Sequence, residues 1–263
     1  MSKIDLVSPV VKWVGGKRQL LERLMPLFPE TYTSYCEPFI GGGAVLFALQ
    51  PENVIINDIN SELIGVYQAI KDNVDALIKR LEQFENTKEC FYDVRGWDRN
   101  AVVYNELTDI DKAARIIFLN KTCYNGLYRV NSAGEFNTPF GRYKKPNIVN
   151  ESTLRAVNKY FNTANVTILN TSYSEAVQGL PENSFVYLDP PYDPISVTAS
   201  FTGYNAGGFS REDQIALRDC CQNLDAAGIK FMLSNSATEF IQDIYSDFNI
   251  TIVPAKRAIN SVG

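Results

Sequence analysis

Histidine is absent from the 263 residues. That removes Ser-His-Asp and Cys-His nucleophilic sites, HExxH metal sites and the zinc deaminases as usually built. Any chemistry here must run without imidazole. Cysteine is sparse: Cys36, Cys90, Cys123, Cys220 and Cys221 are odd in number and never spaced as CxxC. Neither a disulfide framework nor a zinc cluster is therefore expected, the cysteines read as reduced thiols, and no metal is invoked. No apolar run approaches the roughly 18 residues that cross a bilayer, and residues 1–10 lack the basic-then-apolar pattern of a signal peptide. The expected setting is the cytoplasm, without a membrane. Internal repeats and low-complexity tracts are missing too.

The length suffices for one ordinary domain plus a substantial insertion. A net charge of −5 argues mildly against a nucleic-acid partner, since such proteins are usually basic overall. Local charge overrides the total. From Lys112 to Lys159 the bases are Lys112, Arg115, Lys121, Arg129, Arg142, Lys144, Lys145, Arg155 and Lys159, against only Glu135 and Glu151. A basic region inside an acidic chain points to a local anionic partner.

The most informative stretch is Leu188-Asp189-Pro190-Pro191-Tyr192. It follows the apolar run 184–188, which predicts a buried strand, so its polar groups fall at a strand's carboxyl end, where open α/β sheets hold ligands. Two prolines end the strand in a rigid turn whose carbonyls accept hydrogen bonds and whose nitrogens donate none. Asp189 and the Pro190 carbonyl can each accept one hydrogen of a planar amine while Tyr192 stacks on its ring. An isolated sequence of this kind equally suits a plain strand exit, so its weight depends on the rest of the chain.

Lys12-Trp13-Val14-Gly15-Gly16-Lys17 precedes a predicted helix carrying Leu20, Leu21, Leu24 and Leu27 on one side. Lys17 could bind a carboxylate or phosphate there and Trp13 could pack a ring; a plain helix entrance is as good a reading. Residues 34–40 predict a strand, Gly41-Gly42-Gly43 a loop and 44–49 a helix, the opening unit of a nucleotide-binding α/β fold, although the glycines match neither GxGxxG nor a Walker loop. A second strand over 53–57 ends at Asp58, placed to reach ribose hydroxyls, which suits an adenosine-bearing cofactor without phosphates.

A helix is predicted over 61–81, after which the text changes character to about residue 150 and reads as an insertion. It has a helix at about 111–120 and a hairpin of strands 126–130 and 135–140, with its turn at Asn131-Ser132-Ala133-Gly134. A basic, aromatic-edged hairpin of this kind can enter a DNA groove; a solvated hairpin is the alternative. The α/β alternation then returns: helix to about 161, strand 166–169, a short helix, the strand into Asp189, helix 211–227, strand 229–233, another helix, and strand 249–253. Residues 200–209, rich in glycine and aromatics, suggest a loop over the site.

Six motifs in order, KWVGGK at 12–17, EPFIGGG at 37–43, Asn57-Asp58-Ile59-Asn60, YNGLYR at 124–129, EFNTPFGRYKKP at 135–146 and DPPY with a following SFTGY, give the chain its resemblance to Dam-type DNA adenine N6 methyltransferases. The resemblance implies a Rossmann-like α/β sheet that uses S-adenosylmethionine without metal. A mostly helical target-recognition domain carrying a β-hairpin would be inserted at 61–149, within a catalytic domain of 1–60 and 150–263. It implies that Trp13, Lys17, Phe39, Asp58 and Asp189 hold the cofactor, with Lys17 near the methionine carboxylate and Asp58 on the ribose. Asp189, Pro190 and Tyr192 would be catalytic and hold the flipped adenine. Lys12, Tyr124, Asn125, Leu127, Arg129, Pro139 and Arg142 would touch double-stranded DNA, in this family a GATC site, with the chain a monomer in solution and a restriction endonuclease as companion on the same site. In such relatives a further strand follows the KRAINSVG-like segment at 256–263, so the chain is expected to be a fragment. Two rival readings stand beside this one: an amino methyltransferase acting on cytosine N4, RNA or a protein amide, and an inactive DNA-binding relative. The Asp in DPPY and the hairpin disfavour the first, and intact Lys17, Asp58 and Asp189 disfavour the second.

Overall fold

The computed structural model describes residues 3–195 and 208–254. Among them five parallel strands form one sheet in the order β3-β2-β1-β4-β5: β1 (Tyr35–Glu37), β2 (Asn53–Asn57), β3 (Asn165–Leu169), β4 (Phe185–Leu188) and β5 (Lys230–Leu233). Alternation with period two sends neighbouring side chains to opposite faces, and here both faces are covered, as parallel sheets require. Tyr35, Val54, Ile56, Phe185 and Tyr187 pack into one apolar cluster with α2 (Ala44–Leu49), α3 (Ser61–Leu81), α6 (Asp109–Thr122) and α7 (Glu151–Thr163). Cys36, Val186 and Leu188 face a second cluster with α9 (Arg211–Ala226) and α10 (Glu239–Ile244), beside the short α8 (Tyr173–Ala176). The chain reverses its direction of progress between β1 and β4, and the carboxyl ends of those two strands open the crevice where such sheets bind ligands.

Several expectations need correction. The helix after Lys17 is broken into a 3-10 turn (Lys17–Gln19), α1 (Leu21–Leu24) and a second 3-10 turn (Met25–Leu27), the second break falling at Pro26, which has no N–H to continue the helix. β1 is shorter than 34–40, ending before Pro38. α3 carries a non-helical residue at Asn73. The insertion holds two helices that the pattern did not reveal, α4 (Lys88–Gly96) and α5 (Ala101–Glu106), each started by a side-chain cap, Thr87 and Asn100.

The hairpin closes at Asn131–Gly134 but is not a continuous ladder. Bridges occur at Val130 with Phe136 and at Cys123 with Phe140 only. Between them Tyr124–Gly126 curls into a 3-10 turn with Asn125 and Gly126 at positive φ, and Thr138 bonds the Leu127 carbonyl through its hydroxyl, 2.6 Å. Residues 249–253 form no strand, with Ile250 and Ile252 exposed and no pairing to β5. The glycine-rich 200–209 stretch, apart from Gly208 and Phe209, and the segment 256–263 lie outside the described residues.

The basic region is also not uniformly a surface. Arg115 is buried, with 2% of its surface exposed, and pairs with Asp98 at 2.5 Å while its Nε donates to the Val94 carbonyl. Asp98 in turn accepts the Phe136 N–H at 2.7 Å, so this arginine anchors the hairpin from below. Arg155 is engaged on the surface by Asp75 and Glu151. No described helix is long and apolar enough to cross a membrane.

Candidate active site

A cavity of about 640 Å³ lies at the carboxyl ends of β1 and β4. Four separate stretches of the chain line it: 13–17, 37–45 with the glycine loop, 58–60 with Asp58, and 189–195. The cavity thus collects Trp13, Lys17, Phe39, Asp58, Asp189, Pro190 and Tyr192. Close approach is possible because the loop has no side chains. Gly43 starts α2 at φ 70°, and a Cβ on Gly41 would stand 3.0 Å from Trp13 Cδ1, so the indole lies against the bare loop.

Asp58 sits at the end of β2, where its Oδ2 accepts the Gly41 N–H at 3.1 Å and its Oδ1 the Asn60 N–H at 3.0 Å. Burial raises its pKa, opposed by those backbone donors. Asn60 caps α3 by accepting the Leu63 N–H at 3.0 Å. The carboxylate is therefore locked to both the glycine loop and the following helix.

Lys17 is not free in the way the sequence suggested. Its Nζ lies 2.6 Å from both oxygens of Asp189, donates to the Gly15 carbonyl at 2.7 Å, and stands 4.8 Å over the Tyr192 ring. Burial works against this ammonium, but Asp189 and Tyr192 outweigh it and hold its pKa above the ordinary lysine value. Burial also lifts the Asp189 carboxyl, with Lys17 pulling the other way. One side of the pair is left open: Asp189 Oδ1 is buried and within ion-pair distance of Lys17, yet accepts no aligned hydrogen bond. A carboxylate has about four lone-pair sites, so Asp189 keeps acceptor capacity for a ligand N–H beyond its contacts with Lys17.

Glu37, the first residue of EPFIGGG, is a site residue that sequence reasoning missed; the signal is a carboxylate at the end of a buried strand. It lines the same cavity, and burial pushes its carboxyl up to about 8, against the Tyr35 hydroxyl donating to Oε2 at 2.6 Å and reinforced by nearby Asp189. An unfolded glutamate titrates near 4.3. Between that value and about 8 the folded chain holds a proton the unfolded chain has released, so stability falls as pH rises through this window and levels off above it. The melting temperature is expected to drop from about pH 5 to about pH 8, and Glu37→Gln to reduce the slope. Asp58 and Asp189, also raised by burial, supply what remains. The same slope in the variant would exclude Glu37 as a source.

The residues expected at DNA cluster around the YNG turn. Tyr124, Asn125, Arg129, Pro139 and Arg142 are exposed and Leu127 is half-buried. The Tyr124 N–H donates to the Pro139 carbonyl at 2.8 Å, and Arg129 Nε donates to Asn137 Oδ1 at 2.7 Å. Exposed Lys12 joins them through Asn120, whose amide exchanges two bonds of 2.8 Å with the Lys12 backbone and donates to the Gly126 carbonyl at 3.0 Å. Gly126 is required, because at φ 65° a Cβ would lie 2.5 Å from Lys12 Cδ. Tyr128, which sequence reasoning overlooked, connects the two regions: its ring stacks on Trp13 at 4.7 Å and 24°. Among the described residues no group of three or more His, Cys, Asp or Glu could hold a metal ion.

Comparison with known proteins places this chain among relatives. A family model described as D12 class N6 adenine-specific DNA methyltransferase matches residues 13–259. The chain is 45% identical over 258 residues to the Type II methyltransferase M1.LlaDCHI of Lactococcus lactis subsp. cremoris, covering 97% of this chain and 90% of that protein. It is 43% identical over 277 residues to the Type II methyltransferase M.MjaIII of Methanocaldococcus jannaschii, covering 98% and 94%. With the DNA adenine methylase of Escherichia coli (strain K12) it shares 33% identity over 258 residues, covering 96% and 89%.

Proposed function

The chain belongs to the D12 class N6 adenine-specific DNA methyltransferase family, and from that premise we propose how its residues carry out the reaction and on which DNA. It is a site-specific methyltransferase that acts on adenine N6 in DNA, with S-adenosylmethionine as the methyl donor implied by its class.

The cavity suits that cofactor. A carboxylate at Asp58 for the ribose hydroxyls, a bare glycine loop under Trp13, and Phe39 beside it match an adenosine with no phosphates. Lys17, already paired with Asp189, adds positive charge for the methionine carboxylate, and the incoming ammonium would oppose the burial that raises the Glu37 carboxyl. Once bound, the cofactor supplies an electrophilic methyl on a sulfonium.

The protein's own part is to make a poor nucleophile attack. The lone pair of an adenine amino nitrogen is delocalised into the ring. Accepting one N–H at Asp189 Oδ1 and the other at the Pro190 carbonyl favours a pyramidal nitrogen, with its lone pair aimed in line at the methyl. Tyr192 stacks on the ring. The observation that carries this reading is the Asp189 carboxylate, held by Lys17 with lone pairs to spare, in the same cavity as the glycine loop. A base stacked in a duplex cannot reach such a pocket, so the target is flipped at a cost of a few kcal/mol, offset in part by stacking on Tyr192 and by Tyr124 or Leu127 filling the gap.

We assign target recognition to 61–149 and catalysis to 1–60 and 150–263. Lys12, Tyr124, Asn125, Leu127, Arg129, Pro139 and Arg142 contact double-stranded DNA at a GATC site. The chain works in the cytoplasm as a monomer, and the Type II names of two relatives support a role beside a restriction endonuclease that acts on the same site without touching it.

The deciding experiment incubates the protein with methyl-labelled cofactor and duplexes in which each position of GATC is changed in turn. Label is expected on adenine of the unaltered duplex and to be lost with any single change. Label on cytosine, on RNA, or on every duplex equally would overturn the reading.

A further inference from the structure

The proline corner poses a mechanical problem. Pro190 and Pro191 have no N–H, so neither can donate to a neighbouring strand, and the last sheet bond here is Ser234 N–H to the Leu188 carbonyl at 2.9 Å. Beyond Leu188 the corner must be held by side chains reaching it from elsewhere.

Those side chains come from α9 and from the segment after β5. Gln214, in the first turn of α9 and wholly buried, donates through Nε2 to the Pro191 carbonyl at 2.9 Å. Its Oε1 accepts from Asn235 Nδ2 at 2.9 Å, and Asn235 Oδ1 accepts the Asp193 N–H at 3.1 Å and the Ser236 N–H at 2.8 Å. All dipoles in this chain point the same way, so turning either amide would set donor against donor or acceptor against acceptor. The two ends of the chain grip the backbone on either side of one residue: the carbonyl before Tyr192 and the N–H after it. Residue 193 is fixed again from its far side. Its buried carboxylate accepts from Thr238 Oγ1 at 2.7 Å and Arg211 Nε at 3.2 Å, and its carbonyl accepts from Ser236 Oγ at 2.7 Å.

We propose that Gln214 and Asn235 are positioning residues for methyl transfer, which act by fixing the backbone on both sides of Tyr192 and so setting the tilt of the ring on which adenine stacks. The inference rests on the reading of Tyr192 as the adenine platform. Neither amide lines the cavity, and neither belongs to a motif that the sequence drew attention to. Their contribution falls on kcat. Cofactor capture uses Trp13, Lys17, Glu37 and Asp58, and DNA is bound through the YNG turn, and none of these residues is held by the amide chain.

The test combines Gln214→Met, which keeps the shape and loses both bonds, with Asn235→Asp, which keeps the acceptor for Asp193 and loses the donor to Gln214. Each is expected to lower kcat by roughly 10- to 100-fold per folded enzyme, the scale on which a displacement of about 1 Å acts. KM for cofactor and for DNA should stay within about twofold. In a Tyr192→Ala background Gln214→Met is expected to lower kcat by less than about twofold more, because the group it positions has gone. A lower melting temperature with unchanged kcat, a rise in KM alone, or an undiminished effect on top of Tyr192→Ala would each overturn the proposal. Should Gln214→Met not fold, Asn235→Asp is carried through the same cycle. Wild-type turnover by Tyr192→Ala would instead remove the platform reading, and this inference with it. A slow Tyr192→Ala beside fast amide variants would remove the inference alone.

Discussion

Asp189→Asn is expected to lower turnover by on the order of 10²- to 10³-fold, the scale set by removing one preorganised electrostatic partner from an active site. Two duties meet at this carboxylate. Both oxygens lie 2.6 Å from Lys17 Nζ, one of them in an aligned hydrogen bond, and the proposed mechanism gives their remaining lone pairs to the adenine amine. An asparagine has one acceptor, so either the lysine or the adenine must face an NH2 group. Cofactor affinity and DNA affinity are expected to change far less than turnover. Asp189→Ala goes further. With side chains only 5% and 17% exposed, the pair is buried, and removing one partner of such a pair leaves a lysine uncompensated at a cost of about 3–5 kcal/mol. Its melting temperature is expected to fall visibly, while Lys17→Met with Asp189→Ala recovers much of the stability and none of the turnover. Turnover at the wild-type rate by Asp189→Asn would end the mechanism given above, and an unaltered melting point for Asp189→Ala would show that the ion pair contributes little to the fold.

Arg129→Ala is expected to cost about 1–3 kcal/mol of discrimination at one G·C position of the target, and little at the others. The guanidinium is exposed at the hairpin, and Asn137 Oδ1 takes its Nε at 2.7 Å. That bond engages Nε rather than the two terminal nitrogens, which form the fork that reads the two acceptors on a guanine edge. Asn137→Ala should weaken the same preference by less, because the fork is then less well oriented but still present. The measurement is kcat/KM on duplexes varied one base pair at a time. An equal loss on every duplex would make Arg129 a phosphate contact rather than a reader of sequence.

The elements best foreseen are those with a local cause. β2 occupies 53–57 and α2 occupies 44–49 as expected, because an apolar run or a helical spacing bounded by glycine, proline or a capping residue leaves few alternatives. Where local pattern conflicts with context, expectation failed. The apolar spacing of Leu20, Leu21, Leu24 and Leu27 suggested one helix that Pro26 divides. The hairpin alternates like two strands, yet Asn125 and Gly126 at positive φ bend one arm into a turn. Residues 249–253 have the composition of a strand and no paired neighbour. The helices α4 and α5 were hidden because neither has a clean apolar stripe: α5 exposes Val102 and Val103.

What the sequence determined alone was the set of chemical parts and the places where the chain turns: no imidazole, an acid before two prolines, a glycine loop after one strand and an acid after the next. Glycine, proline and the alternation of apolar residues act on the backbone within a few residues, so their effects can be read in order along the chain. Tertiary structure alone decided which charges meet. Lys17 is 172 residues from the Asp189 it pairs with, and Lys12 is 108 from the Asn120 that ties it to the recognition turn. It also sent Arg115 into the core while leaving Arg129 in solvent. Burial and pairing depend on what the rest of the fold brings within a few ångströms, and two arginines that look alike in a sequence become a buried anchor and an exposed side chain for that reason.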